Sequence, residues 1–101
     1  LPIMAVGGCG VISVCANIVP QRSAAMTAAA LAGRWELARQ LHYELLPLSR
    51  VLFLETNPIP IKAAMAMLGL CADELRLPLL PMSEAPRAKL RAALQQLGLL
   101  D

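Results

Sequence analysis

Through the middle of the chain, apolar residues recur at steps of three and four. Trp35, Leu37, Ala38, Leu41, Leu45, Leu48 and Leu52 keep one phase past Pro47. Such spacing lines side chains along one face of a helix. It predicts a single amphipathic helix over about residues 34–53, kinked at Pro47, where the ring removes an amide donor and crowds the preceding turn. Residues 20–32 hold Ala24, Ala25, Met26, Ala28, Ala29, Ala30 and Leu31, all strong helix formers. They predict a helix with Pro20 in its first turn and Gly33 as its C-terminal cap. Asn57-Pro58-Ile59-Pro60 opens another helix, with Asn57 as N-cap, Ile61, Ala64, Met65 and Leu68 on one side and Gly69 at its end. Leu77-Pro78-Leu79-Leu80-Pro81 reads as a stiff extended connector. Ser83 then caps a last helix over residues 84–97, striped by Leu90, Ala93, Leu94 and Leu97 and followed by Gly98.

Residues 1–17 follow a different pattern. Residues 1–6 read as the end of a helix, with Gly7 or Gly8 as its cap. Residues 10–14 (Gly-Val-Ile-Ser-Val) then predict a buried strand. Apolar side chains on both faces suit a parallel strand covered by helices. Asn17 follows as a turn residue. Helix, strand, helix is one step of an alternating α/β pattern. A lone strand cannot satisfy its own donors and acceptors. It therefore needs another chain, or a sheet lying upstream. The chain opens on Leu1 rather than Met, and a fragment or a processed product is expected.

Composition sharpens this picture. Hydrophobic residues make up 57% of the chain, yet there is one Trp, one Tyr and one Phe. The apolar content is mostly Leu and Ala, so most of the chain is helical. The formal net charge is +2, and Arg22, Arg34, Arg39, Arg50, Arg76, Arg87 and Arg91 are scattered singly. No basic stripe tracks a phosphate backbone, which argues against nucleic acid. Residues 1–19 carry no charge, but Pro2, three glycines, Ser13 and Asn17 interrupt them, and no basic run precedes them as in a signal peptide. A strand between loops explains them better than a membrane span.

Reactive side chains are few. Cys9, Cys15 and Cys71 form no CxxC, and with the single His42 they match no zinc spacing, so they read as thiols in a reducing compartment. Lys62 lies among apolar neighbours early in a helix, where burial could lower its pKa for Schiff-base chemistry; a helix-packing role explains it better. Lys89, between Arg87 and Arg91, reads as solvated. His42-Tyr43-Glu44 are consecutive on a helix and cannot converge as an acid/base cluster. Asp73-Glu74 reads as a turn or an N-terminal helical charge. Gly7-Gly8-Cys9-Gly10 precedes the strand, whereas phosphate loops follow one.

Two motifs carry a family resemblance. GVISVCAN at residues 10–17 resembles the GVISVTAN of the dihydrodipicolinate synthase family at its eighth barrel strand. NPIPIK at residues 57–62 resembles that family's NPIPVK, and Leu75-Arg76-Leu77-Pro78 and the Leu97-Gly98-Leu99-Leu100 ending also fit. The resemblance covers essentially the whole chain. It implies an α/β fold class: the C-terminal part of a (β/α)8 barrel followed by a three-helix region. Residues 1–33 would close the barrel, with the strand at 10–14 and its helix at 20–32, and residues 34–101 would form the helical region.

The implied reaction condenses pyruvate with L-aspartate 4-semialdehyde in lysine and diaminopimelate biosynthesis. The family's Schiff-base lysine and relay tyrosine match no position here, so no catalytic side chain is expected in this chain. Ile12 matches an isoleucine whose main-chain carbonyl lies beside the pyruvate-derived group. Catalytic groups of such barrels sit at the C-terminal ends of strands. Cys15 stands where threonine is common, a departure from the motif. The resemblance implies no cofactor and no metal, a cytoplasmic homotetramer, and the missing N-terminal barrel as the necessary partner. The alternatives are a small helical interaction module, or a sialic-acid-lyase-like relative.

Overall fold

The computed structural model describes residues 1–101. Its helices are α1 (Pro2–Ala5), α2 (Pro20–Leu31), α3 (Trp35–Val51), α4 (Ile59–Met67) and α5 (Glu84–Gln96), with a short 3-10 helix at Val14–Asn17. Every α-helix except α3 ends on a glycine with positive φ: Gly7, Gly33, Gly69 and Gly98. After α2, the Gly33 amide donates to the Ala30 carbonyl at 3.0 Å and the Arg34 amide to the Ala29 carbonyl at 2.8 Å. This crossed pair satisfies carbonyls that the helix leaves open. It recurs at Gly69 with Leu70 and at Gly98 with Leu99. Gly7 and Gly8 repeat it after α1, where Gly8 donates to the Ile3 carbonyl at 2.9 Å.

α3 continues through Pro47. The ring costs the Tyr43 carbonyl its helical donor, but the apolar stripe on either side outweighs one lost bond. Glu36 in the first turn and Arg50 in the last complement the helix dipole. The buried stripe is Ala38, Leu45, Leu48 and Leu52, whereas Trp35 and Leu37 are exposed.

The chain forms two compact units, residues 1–46 and 47–101. In the first, Met4, Ala29, Ala30 and Ala38 make a core with Leu1 against it. Alanines on α2 let backbones approach closely, which a helix of bulkier residues would prevent. In the second unit α4 packs on α5. Pro60, Ile61, Ala63 and Ala64 of α4 and Leu90, Ala93 and Leu94 of α5 are buried. The Arg87 guanidinium reaches the Asp73 carboxylate at 2.7 Å and ties the segment before α5 to that helix. That pair is partly exposed and contributes about 1 kcal/mol at most. Each fully buried leucine contributes about 1.5–3 kcal/mol, so Leu90 and Leu94 dominate the packing.

Four sequence expectations change. No strand forms at residues 10–14: residues 10–13 carry no regular structure and Val14 begins the 3-10 helix. The chain holds no other strand, so a ladder has nothing to pair with. Asn57 is not the cap of α4. Pro58 is, because its carbonyl accepts the first helical bond, from the Lys62 amide at 3.0 Å. Ser83 does stand at the N-cap of α5, but its hydroxyl makes no capping bond, and its amide instead donates to the Glu55 carboxylate at 3.1 Å. The connector at 77–81 is not extended throughout, since the Leu79 amide closes a turn onto the Arg76 carbonyl at 3.1 Å.

The caps yield a stability prediction. A Cβ on Gly33 meets no atom, so Gly33→Ala suffers only the left-handed backbone, at φ 73°, and should cost about 1–2 kcal/mol. A Cβ on Gly8 would lie 2.7 Å from Ile3 Cγ2 and 2.9 Å from the Ile3 carbonyl oxygen. Gly8→Ala should therefore cost more, because backbone rather than a flexible side chain must move. Urea denaturation of both variants ranks them, and an equal or inverted order would contradict the close-approach argument.

Candidate functional site

The glycine pair ending α1 turns the chain into an extended run. Val11 is 57% exposed and Ile12 fully so. No backbone hydrogen bond within the chain engages residues 9–12. Ser13 is extended, at φ −101° and ψ 130°. The 3-10 helix then anchors the run. The Ala16 amide donates to the Ser13 carbonyl at 3.2 Å. The amides of Ile18 and Val19 both donate to the Cys15 carbonyl at 2.9 Å. The Asn17 side-chain amide donates to the Val14 carbonyl at 3.1 Å. Ile12 therefore stands two residues before a closed turn, with a carbonyl that no backbone amide of the chain occupies.

Beside this run lies an open groove of about 440 Å³, walled by Gly10, Val11, Ser13 and Ala16 and by the Pro20, Ser23, Ala24, Thr27 and Leu31 face of α2. Ser23 is buried and its hydroxyl has no hydrogen-bond partner. Thr27 spends its own hydroxyl proton on the Ser23 carbonyl at 3.0 Å. The groove is thus mostly apolar.

The other candidate side chains do not assemble. The His42 and Tyr43 rings touch edge-on, 5.5 Å between centroids. Glu44 takes no part in that contact, and accepts instead from the Gln40 amide at 3.1 Å. Arg39 pairs with Glu36, which raises its pKa chiefly through that hydrogen bond. Lys62 is half-buried on α4 and Lys89 exposed on α5. Asp73 is engaged by Arg87. No group of three His, Cys, Asp or Glu residues stands where it could hold a metal ion. The three cysteines form no disulfide, and no helix is long and apolar enough to cross a membrane. One feature was not visible from sequence: a cavity of about 280 Å³ lined by Leu1, Pro2, Ala5, Trp35, Arg39, His42 and Tyr43. Burial there lowers the His42 pKa.

A helix end, an unpaired strand-like run, a helix and a helical tail match the C-terminal part of an α/β-barrel enzyme. A dihydrodipicolinate synthase of known structure from Aquifex aeolicus superposes with a TM-score of 0.95 at 49% identity, over 98% of this chain and 34% of that one. The 4-hydroxy-tetrahydrodipicolinate synthase of Methanosarcina mazei is 55% identical over 101 residues, all of this chain and 35% of the relative. That of Thermomicrobium roseum is 58% identical over 94 residues, 93% of this chain and 31% of the relative. The sequence profile of the dihydrodipicolinate synthetase family matches residues 1–97. The chain belongs to this family, and spans about a third of the length of its relatives.

His42 supplies a pH prediction. Its proton is bound less tightly in the fold than in the open chain, so its share of stability is complete above pH 6.5 and is lost as pH falls through the lowered folded value. A proton NMR titration should place the His42 midpoint below 6.5. A midpoint at or above the ordinary value would contradict this environment.

Proposed function

We propose that residues 1–101 are the C-terminal third of a complete lyase that condenses pyruvate with L-aspartate 4-semialdehyde to 4-hydroxy-tetrahydrodipicolinate. The pathway would be lysine and diaminopimelate biosynthesis in the cytoplasm, and the working enzyme a homotetramer. The observation that carries this reading is the family match over residues 1–97 at a third of its relatives' length. The unpaired run at residues 9–12 and the groove along α2 support it. On this reading residues 1–33 close the barrel, and residues 34–101 form the helical region behind it.

In such an enzyme an amine of the remaining two thirds would condense with the pyruvate ketone and release water. This chain's part is positional. The Ile12 carbonyl would lie beside the pyruvate-derived group, as an acceptor fixed by backbone rather than by a rotatable side chain. The Ile12 side chain, exposed in this chain, would be covered by neighbouring strands. No cofactor and no metal enter this scheme.

Two experiments test the proposal. The chain alone, treated with pyruvate and borohydride, should keep its mass, whereas the complete enzyme should gain a reduced adduct outside these residues. An adduct on Lys62 would place the chemistry here and sink the reading. In the complete enzyme Ile12→Val should be mild, since one methylene costs about 0.5–1.5 kcal/mol in a core and leaves the carbonyl in place. Ile12→Pro should be severe, because it deletes a ladder donor and moves the carbonyl. If Ile12→Val abolishes turnover with an unchanged melting curve, the side chain is the functional group instead.

A further inference from the structure

We infer that Asn17 is a positioning residue for the Ile12 carbonyl; this rests on the role just proposed for Ile12. The run that bears Ile12 has no backbone–backbone hydrogen bonds within the chain over residues 9–12. Neighbouring strands would align its middle in the complete enzyme, and its C-terminal end is held by the Val14–Asn17 turn. Two bonds fix the start of the turn. The Ala16 amide holds the Ser13 carbonyl at 3.2 Å, and the Asn17 side-chain amide holds the Val14 carbonyl at 3.1 Å. The Ile12 carbonyl belongs to the Ile12–Ser13 peptide unit. Ser13, extended and anchored by its own carbonyl, links that unit directly to the turn. A rotation of the turn would swing the Ile12 carbonyl with it.

The chemistry of asparagine suits the task. Its amide donates to a carbonyl, whereas aspartate of the same shape can only accept. Its short side chain reaches backbone three residues back, a local bond that competes well at turns. Asn17 is exposed in this chain and packs in no core of these residues. Misplacing a reacting group by a fraction of an ångström lowers rate without unfolding anything.

The test uses the complete enzyme carrying Asn17→Ala and Asn17→Asp, beside Ile12→Pro. Melting temperature, subunit assembly, kcat and KM for each substrate are measured. Both Asn17 variants should lose about tenfold in kcat, with KM for aspartate semialdehyde and the melting temperature little changed. Asn17→Ser, which keeps a short donor, should recover part of the rate. Wild-type turnover in both Asn17 variants would overturn the positioning role, whatever Ile12→Pro does. A parallel fall in melting temperature and rate would also overturn it, by making Asn17 a folding residue. If Ile12→Pro itself turns over normally, the Ile12 reading has failed, and Asn17 has no carbonyl to position.

Discussion

A backbone donor or acceptor taken out of water must find a partner, and residues 9–12 find no backbone partner inside this chain. A buried orphan of this kind costs about 1–3 kcal/mol. The run escapes that cost by staying in water, and the result is Val11 and Ile12 facing solvent. Neighbouring strands would supply the hydrogen bonds along the edges, and layers packed on the two faces would supply the apolar cover. The groove along α2 runs beside the same segment, and Ser23 there is buried with no partner for its hydroxyl.

The helices were legible because their signals are local. A glycine after an alanine- or leucine-rich run marks a helix end wherever the run sits, and Gly33, Gly69 and Gly98 all do so with positive φ. The three-and-four spacing through Pro47 also survived, since one proline removes one bond while the stripe from Ala38 to Leu52 stays buried. The strand was legible as a propensity and absent as a structure. Pairing is a property of two segments, and sequence showed only one. Asn57 and Ser83 show a smaller version of this limit. Each has the right chemistry to cap, but Pro58 takes the position in one case and Glu55 captures the Ser83 amide in the other.

The candidate site was legible only through resemblance. Nothing in the side chain of Ile12 announces a role, since any residue supplies the same carbonyl. Asn17 carries a local signal: a polar residue closing an apolar run marks a turn, but spacing along the chain does not say which carbonyl its amide holds. The cavity beside His42 had no signal at all, because it brings Leu1 and Pro2 together with α3, an arrangement that spacing along the chain cannot show.

Where chemistry rests on backbone, reactive side chains are the wrong guide to it. Lys62, His42, Tyr43 and Asp73 each invited a catalytic reading, and each is accounted for by helix position, a ring contact or an ion pair. What a backbone acceptor needs is a fixed peptide plane. Fixed planes come from residues that close turns and end helices: Gly8, which leaves no room for a Cβ beside Ile3, and Asn17, which returns a bond to Val14. These two residues bracket the run bearing Ile12, one before it and one after. The local sequence thus defines both ends of the segment and leaves its middle to be aligned by neighbours, which is what the role proposed for the Ile12 carbonyl requires.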